Sequence, residues 1–231
     1  MRQLALDIHL ADHAVFDSFH PGPNAVAVAS LQRAVGGEGP AIIWLWAAPE
    51  SGRSHLLQAS VAQAHDRGAA TAYLPLAELR DLSPAILDGM AALDLLALDD
   101  VGAVAGDAGW ERALFRLHEG LVPRGGRLLI AAETPPAQAG FALADLSSRL
   151  SAGAVFRLER LSDAECRLAL QRRAGWRGFA LPDETAEFLL TRVERSMGSL
   201  FRLLDRLDRA SLAAQKRLTI PFVRSVLESG N

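Results

Sequence analysis

The stretch from Ala41 to Leu57 constrains this chain more than any other. The apolar residues Ala41-Ile42-Ile43-Trp44-Leu45-Trp46-Ala47 run into Ala48-Pro49-Glu50-Ser51-Gly52 and then into Arg53-Ser54-His55-Leu56-Leu57. An apolar run, a tight turn of small residues and Pro, and a helix start read as strand, turn, helix. That is the order of a phosphate-binding loop, G-x-x-x-x-G-K-[ST]. Such a loop aims backbone N–H groups and a helix N-terminus at an anion, and glycine lets the backbone come close. Gly52 and Ser54 match the pattern, while Ala47 stands at the first glycine and Arg53 at the lysine. Ala48, Pro49, Glu50, Ser51, Gly52, Arg53, Ser54 and His55 are thus candidate nucleotide contacts, Ser54 being the hydroxyl that would face Mg²⁺. Arginine keeps the charge of lysine but is larger and planar, so the exchange favours nucleotide binding over nucleotide hydrolysis. An ordinary strand-to-helix turn fits the same residues, and the rest of the chain has to decide.

Leu93-Asp94-Leu95-Leu96-Ala97-Leu98-Asp99-Asp100 is the second informative stretch. An apolar strand that ends in two acids puts carboxylates at the carboxyl edge of a parallel sheet, where open α/β folds bind ligands. Asp99 suits a Mg²⁺ ligand, direct or through water, and Asp100 a group that orients an attacking water. An acidic turn is the plainer reading of these residues alone. Paired with the loop upstream, they point to a P-loop nucleotide-binding fold. Glu133 and Thr134, after a fourth strand at Arg127 to Ala132, are candidates to watch a terminal phosphate, and a turn before Pro135-Pro136 also fits them.

The chain has 231 residues, half of them hydrophobic, which is room for one α/β domain and a small second one. A net charge of −3 argues against a dedicated duplex-DNA-binding module. The lone Cys166 forbids an internal disulfide and suits a reducing compartment, so a cytoplasmic location is expected. No apolar run reaches the roughly 18 residues of a membrane span, and no membrane partner is expected. His9 and His13 are four apart but have no third ligand at metal-site spacing.

Residues 1–13 read as a tail with Gln3-Leu4-Ala5-Leu6-Asp7-Ile8 alternating polar and apolar. It suits either a short edge strand or a docking peptide with Gln3, Leu4, Leu6 and Ile8 as contacts. Residues 14–160 alternate strand and helix signals. Their near-continuous apolar strands predict a parallel sheet covered on both faces. Asn24 is the expected N-cap of the first helix. Residues 161–231 turn all-helical, opening on the capping box Ser162-Asp163-Ala164-Glu165. Arg149 sits on a short helix before the last strand, where an arginine is ordinarily a surface charge.

Several segments together resemble the DnaA-related AAA+ ATPases. Phe16-Asp17-Ser18-Phe19 with Gly22-Pro23-Asn24 is similar to the initiator's F-x-x-F…G-x-x-N segment, and Gly52-Arg53-Ser54-His55-Leu56-Leu57 to its G-K-T-H-L-L. The nearer resemblance is to the Hda family of DnaA inactivators. It rests on Trp46-Ala47, Gly106-Asp107 with Trp110-Glu111, Ser147-Ser148-Arg149-Leu150 and Arg177-Gly178-Phe179. It continues in Leu207-Asp208-Arg209-Ala210-Ser211 and Leu218-Thr219-Ile220-Pro221-Phe222-Val223, and so spans essentially the whole chain.

The resemblance implies an AAA+ P-loop core, a parallel five-stranded sheet flanked by helices, followed by a small helical lid. It implies that Gln3, Leu4, Leu6 and Ile8 bind the DNA polymerase sliding clamp (its beta subunit), and that Arg149 is an arginine finger acting on ATP held by DnaA. It implies ADP, or ATP, as the chain's own ligand with Mg²⁺ beside it, and Phe19, His20 and Pro21 near the adenine. The expected role is negative regulation of replication initiation, with the chain's own ATPase weak or absent. DNA would be met only through the clamp, since no helix-turn-helix domain is expected after Asn231; a homo-oligomer is compatible with the family. The lid arginine of AAA+ proteins falls at Gly198 here, flanked by Arg195 and Arg202. Two other classes stay open: a helicase-loader-like ATPase, which the Asp99-Asp100 pair would suit, and a clamp adaptor that needs no nucleotide.

Overall fold

A computed structural model describes residues 14–192, 197–215 and 218–228. It divides into two compact units. The first holds residues 14–16 and Asn24–Glu159, and the second Asp17–Pro23 with residues 160–228.

In the first unit α1 (Ala25–Val35) leads to β1 (Ile42–Trp46), α2 (Arg53–Asp66), β2 (Thr71–Pro75) and the single turn α3 (Leu76–Leu79). Then follow β3 (Leu95–Asp99), α4 (Ala108–Leu121), β4 (Arg127–Ala132), α5 (Ala144–Ser151) and β5 (Ala154–Arg157). The strands form one parallel sheet in the order β2-β3-β4-β1-β5, the five-stranded sheet expected from the sequence. Burial follows that order. Every residue of β3 is buried and nearly every one of β1 and β4, whereas the edge strands β2 and β5 are mostly half-exposed. Strands covered on both faces have no polar side to alternate with, which is why they read as solid apolar runs.

On one face Trp44, Leu96, Leu98, Leu128 and Ile130 pack with Trp110, Leu114, Leu117 and Leu121 of α4 and Leu146 and Leu150 of α5. The intervening residues Ile43, Leu45, Ala97 and Leu129 are fully buried too, and α2 packs over β2, β3 and β4. The indole N–H groups of Trp44 and Trp110 donate to the carbonyls of Thr134 (3.0 Å) and Arg80 (3.3 Å), as buried indoles require. Gly153 lets β5 in. A Cβ there would run into the Ile42 carbonyl and lie 2.6 Å from the Ile42 Cβ.

Asn24 does occupy the N-cap position of α1, yet its side chain makes no cap bond. It instead donates to the Glu159 carbonyl (3.1 Å) and accepts from the Glu159 N–H (2.7 Å), 135 residues away. Two long-range bonds satisfy two backbone groups at once, which outweighs the single bond of a cap.

The second unit contains α6 (Asp163–Trp176), α7 (Asp183–Arg192), α8 (Met197–Ala214) and α9 (Ile220–Glu228). Its core is Leu170, Ala174, Leu189, Leu200, Leu204, Leu207 and Val223. The capping box read from the sequence is present: Ser162 Oγ accepts from the Glu165 N–H, and Glu165 accepts from the Ser162 N–H at 2.8 Å. Arg173 is buried, with its guanidinium 4.3 Å over Phe201 and 3.6 Å from Asp205. The Asp17 carbonyl accepts from Arg172 Nε at 2.6 Å, and Gly22 abuts Leu161 and Glu165. These contacts group residues 17–23 with the helical unit. No described helix is long and apolar enough to cross a membrane.

Candidate functional site

The carboxyl ends of β1, β3 and β4 lie along one edge of the sheet, where Trp46 pairs with Ala132 and Leu98 with Ile130. From this edge leave the 47–52 loop, the Asp99-Asp100 pair and Glu133-Thr134. The fold has therefore brought together three segments that the sequence separates widely.

Ala47 stays in the sheet ladder, donating to the Ala132 carbonyl at 3.3 Å, so the loop proper starts at Ala48. Glu50 (φ 61°) and Gly52 (φ 93°) are both in the left-handed region. Gly52 is the N-cap of α2, and among the described residues no side chain caps that helix. The first-turn N–H groups of an uncapped helix are the donors an anion takes. Beside them, Ser51 Oγ and Arg53 Nη1 are buried and have no hydrogen-bond partner among the described residues. Buried polar atoms are nearly always satisfied, so two orphans next to an uncapped helix start fit an anionic group such as a nucleotide phosphate. Ser54 is exposed at the same turn. His55 faces elsewhere: its Nε2 donates to the Val15 carbonyl at 3.0 Å and so ties residue 15 to α2.

Arg53 is only 7% exposed, and its Nη2 lies 3.4 Å from Asp100 Oδ1. Asp100 adopts a left-handed conformation (φ 51°) as the cap of a short 3₁₀ turn. Burial, then the neighbouring Asp99, push its carboxyl above the ordinary range, while Arg53 pulls it back. Asp99 is buried. Its Oδ2 accepts from the Tyr73 hydroxyl at 2.7 Å and its Oδ1 from the Asp100 N–H at 3.0 Å. Glu133 is exposed, and Thr134 Oγ1 donates to the Gln138 carbonyl at 3.2 Å.

Arg149 lies on α5 with its side chain 42% exposed. Its guanidinium sits 5.0 Å over the Phe115 ring and 2.7 Å from Glu119, both on α4. Next to them His118 is buried, and burial, then Arg149, hold its imidazole below the usual range. Glu111 fixes the start of α5 from the other end of α4. Its carboxylate accepts from the N–H groups of Gly106 (2.7 Å), Ala142 (2.9 Å) and Leu143 (2.7 Å).

Phe19, His20 and Pro21 fall in the helical unit, whereas the loop and the acid pair fall in the α/β unit. Gly198 lies within α8, and Arg202 Nη2 donates to Ser199 Oγ at 2.9 Å. Arg195 and the clamp-contact candidates Gln3, Leu4, Leu6 and Ile8 lie outside the described residues. Sequence reasoning missed Tyr73, Phe115, Glu119 and the reach of Glu111; the one available signal was the Trp110-Glu111 pair.

Comparison with known proteins places this geometry. Residues 163–227 match the lid domain of Hda. The chain superposes on domain III of the replication initiation protein DnaA from Thermotoga maritima with a TM-score of 0.80, at 20% identity, covering 96% of this chain and 98% of that one. The chain thus carries a segment similar to the Hda lid on a fold like that of the DnaA AAA+ domain. The AMPPCP-bound DnaA of Aquifex aeolicus matches over 87% of this chain and 67% of its own, with a TM-score of 0.73 and 20% identity. The Thermotoga maritima RuvB branch migration motor shares the fold more distantly, with a TM-score of 0.66 and 16% identity over 90% of this chain and 67% of that one. The sheet order and the helical unit that follows it are thus those of an AAA+ protein with its lid.

Proposed function

We propose that this Hda-like protein is a negative regulator of replication initiation that drives hydrolysis of DnaA-bound ATP in trans. The observation that carries this reading is the division of labour between two arginines. Arg53 is turned inward to the chain's own acid pair, while Arg149, on another helix, is half-exposed and held by Phe115 and Glu119. A guanidinium presented outward on a fixed helix can stabilise charge on a phosphoryl group held by a neighbouring subunit. The likeness of residues 163–227 to the Hda lid supports DnaA as that neighbour.

In this scheme the tail, through Gln3, Leu4, Leu6 and Ile8, is captured by the sliding clamp on DNA. The AAA+ body then packs on ATP-bound DnaA and offers Arg149 to it. DnaA hydrolyses its ATP and is left in the ADP form. The chain's own loop holds ADP through the first-turn N–H groups of α2, Ser51 and Arg53, and this nucleotide is bound without being turned over. The setting is the cytoplasm, and contact with DNA runs through the clamp.

The test follows radiolabelled ATP on DnaA in the presence of DNA-loaded clamp and this protein with ADP. Wild type should convert the label to ADP, and Arg149→Ala and Gln3→Ala should fail although folded. If DnaA keeps its ATP whatever is added, the trans-activation reading is wrong. ADP produced by this chain alone, in a single turnover, would move the helicase-loader reading to the front. Full conversion without any nucleotide on this chain would favour the adaptor reading.

A further inference from the structure

Asp99 and Asp100 stand where an AAA+ protein would use carboxylates on a metal ion and a water, yet both are already engaged by this chain's own groups. Asp99 is 2% exposed and spends one oxygen on the Tyr73 hydroxyl (2.7 Å) and the other on the Asp100 N–H (3.0 Å). Tyr73 sits on the neighbouring strand β2, opposite Ala97, so its phenol reaches along β3 to the carboxylate that ends it. An O–H bond to a buried carboxylate is charge-assisted and roughly twice as strong as a neutral one. Burial, and then Asp99, hold the Tyr73 phenol far above its ordinary pKa, so it remains a donor throughout the physiological range. Asp100 is paired with Arg53, whose second terminal nitrogen is buried and without a partner among the described residues. Arginine is charged at every accessible pH, so the loop carries a permanent cation beside the phosphate position.

We infer that Tyr73 is a lock on Asp99. By occupying the carboxylate it keeps Mg²⁺ from being held by the protein, and the loop binds its nucleotide diphosphate with Arg53 in place of the ion. The inference rests on the nucleotide-binding half of the proposed function and is independent of Arg149. It gives Tyr73 a positioning role, setting which form of the nucleotide is accepted. A phenylalanine at 73 would free one oxygen of Asp99 while filling the same space.

Calorimetric titration of the full chain with ADP, in Mg²⁺ and in EDTA, tests this. For wild type the two affinities should agree within about threefold, since neither carboxylate of the Asp99-Asp100 pair is free to join the ion. In Tyr73→Phe, Mg²⁺ should raise ADP affinity about tenfold, the size expected when a charge-assisted bond no longer competes. Adding Asp99→Asn to that variant should remove the gain. A wild-type affinity that rises tenfold or more with Mg²⁺ overturns the lock without recourse to any variant. So does a Tyr73→Phe protein, folded by circular dichroism, that stays indifferent to the ion. Absence of ADP binding by folded wild type in either buffer would instead remove the nucleotide reading itself, and the lock with it.

Discussion

Truncating Glu111 to alanine should cost about 3 kcal/mol of stability in the α/β unit. The side chain is 2% exposed and accepts three backbone N–H bonds at 2.7, 2.9 and 2.7 Å, two of them from residues 142 and 143 at the start of α5. Leu143, the N-cap of α5, makes no side-chain cap bond, and Glu111 instead holds the N–H groups of Ala142 and Leu143 that lead into the helix. Bonds to a charged acceptor are worth about 1.5 kcal/mol each at the low end, or roughly 4–5 kcal/mol for three. Gly106 and Ala142 are exposed, so water can replace part of what they lose, and about 3 kcal/mol is the discounted figure. For a chain of this size that is roughly 6–12 °C in Tm.

The pH dependence has a definite sign. Burial raises the Glu111 pKa, but the three N–H donors outweigh it and hold the carboxyl below the ordinary range. A depressed folded pKa means that the stabilisation is complete above the unfolded value of about 4.3 and is lost as pH falls through the folded value. Melting curves of wild type, Glu111→Ala and Glu111→Gln, followed from pH 7 downward by near-ultraviolet circular dichroism, measure both effects. The gap between wild type and the glutamine variant should be widest at neutral pH and close in acid. A Glu111→Ala protein within about 1 kcal/mol of wild type at pH 7 would refute the reasoning, because the lost bonds could not then have been holding the loops.

Gly153→Ala should destabilise by about 1–3 kcal/mol in urea titrations, since its Cβ meets the Ile42 backbone; an unchanged midpoint would mean that β5 can shift freely. Asn24→Ala removes both bonds to Glu159 and should cost about 2 kcal/mol, whereas loss of a mere helix cap would be nearer 1. Glu119→Gln removes the partner of Arg149 from a half-exposed pair worth about 0.2–1 kcal/mol, so the proposed stimulation of DnaA-bound ATP hydrolysis should fall only about two- to fivefold. A loss as complete as that of Arg149→Ala would show that Glu119 itself acts on the nucleotide.

The strands were readable because burial on both faces writes itself as uninterrupted apolar sequence, as in Ile42–Trp46 and Arg127–Ala132. The turn from β1 into α2 and the acids that end β3 were readable because backbone shape demands particular residues at short spacing. Tyr73, Glu111 and Asn24 were not, for a common reason. Their partners lie 26, up to 32 and 135 residues away, and no local periodicity records which distant carbonyl or carboxylate a side chain will meet. Asn24 shows the conflict most plainly: a residue type that prefers caps sits at a cap and spends its amide elsewhere. The grouping of Asp17–Pro23 with the helical unit was hidden likewise, because it is set by contacts with Leu161, Glu165 and Arg172.

The tryptophans divide along the same line as the two units, which gives the protein unlabelled optical probes. Trp44 and Trp110 are 0% and 2% exposed in the α/β core and Trp46 is half-buried there under Arg157, whereas Trp176, at the end of α6, is 43% exposed in the helical unit. Buried indoles emit toward the blue and resist acrylamide, while Trp176 should emit to the red and be quenched. Two emission components, resolved during denaturation, would therefore report the melting of each unit separately within one sample.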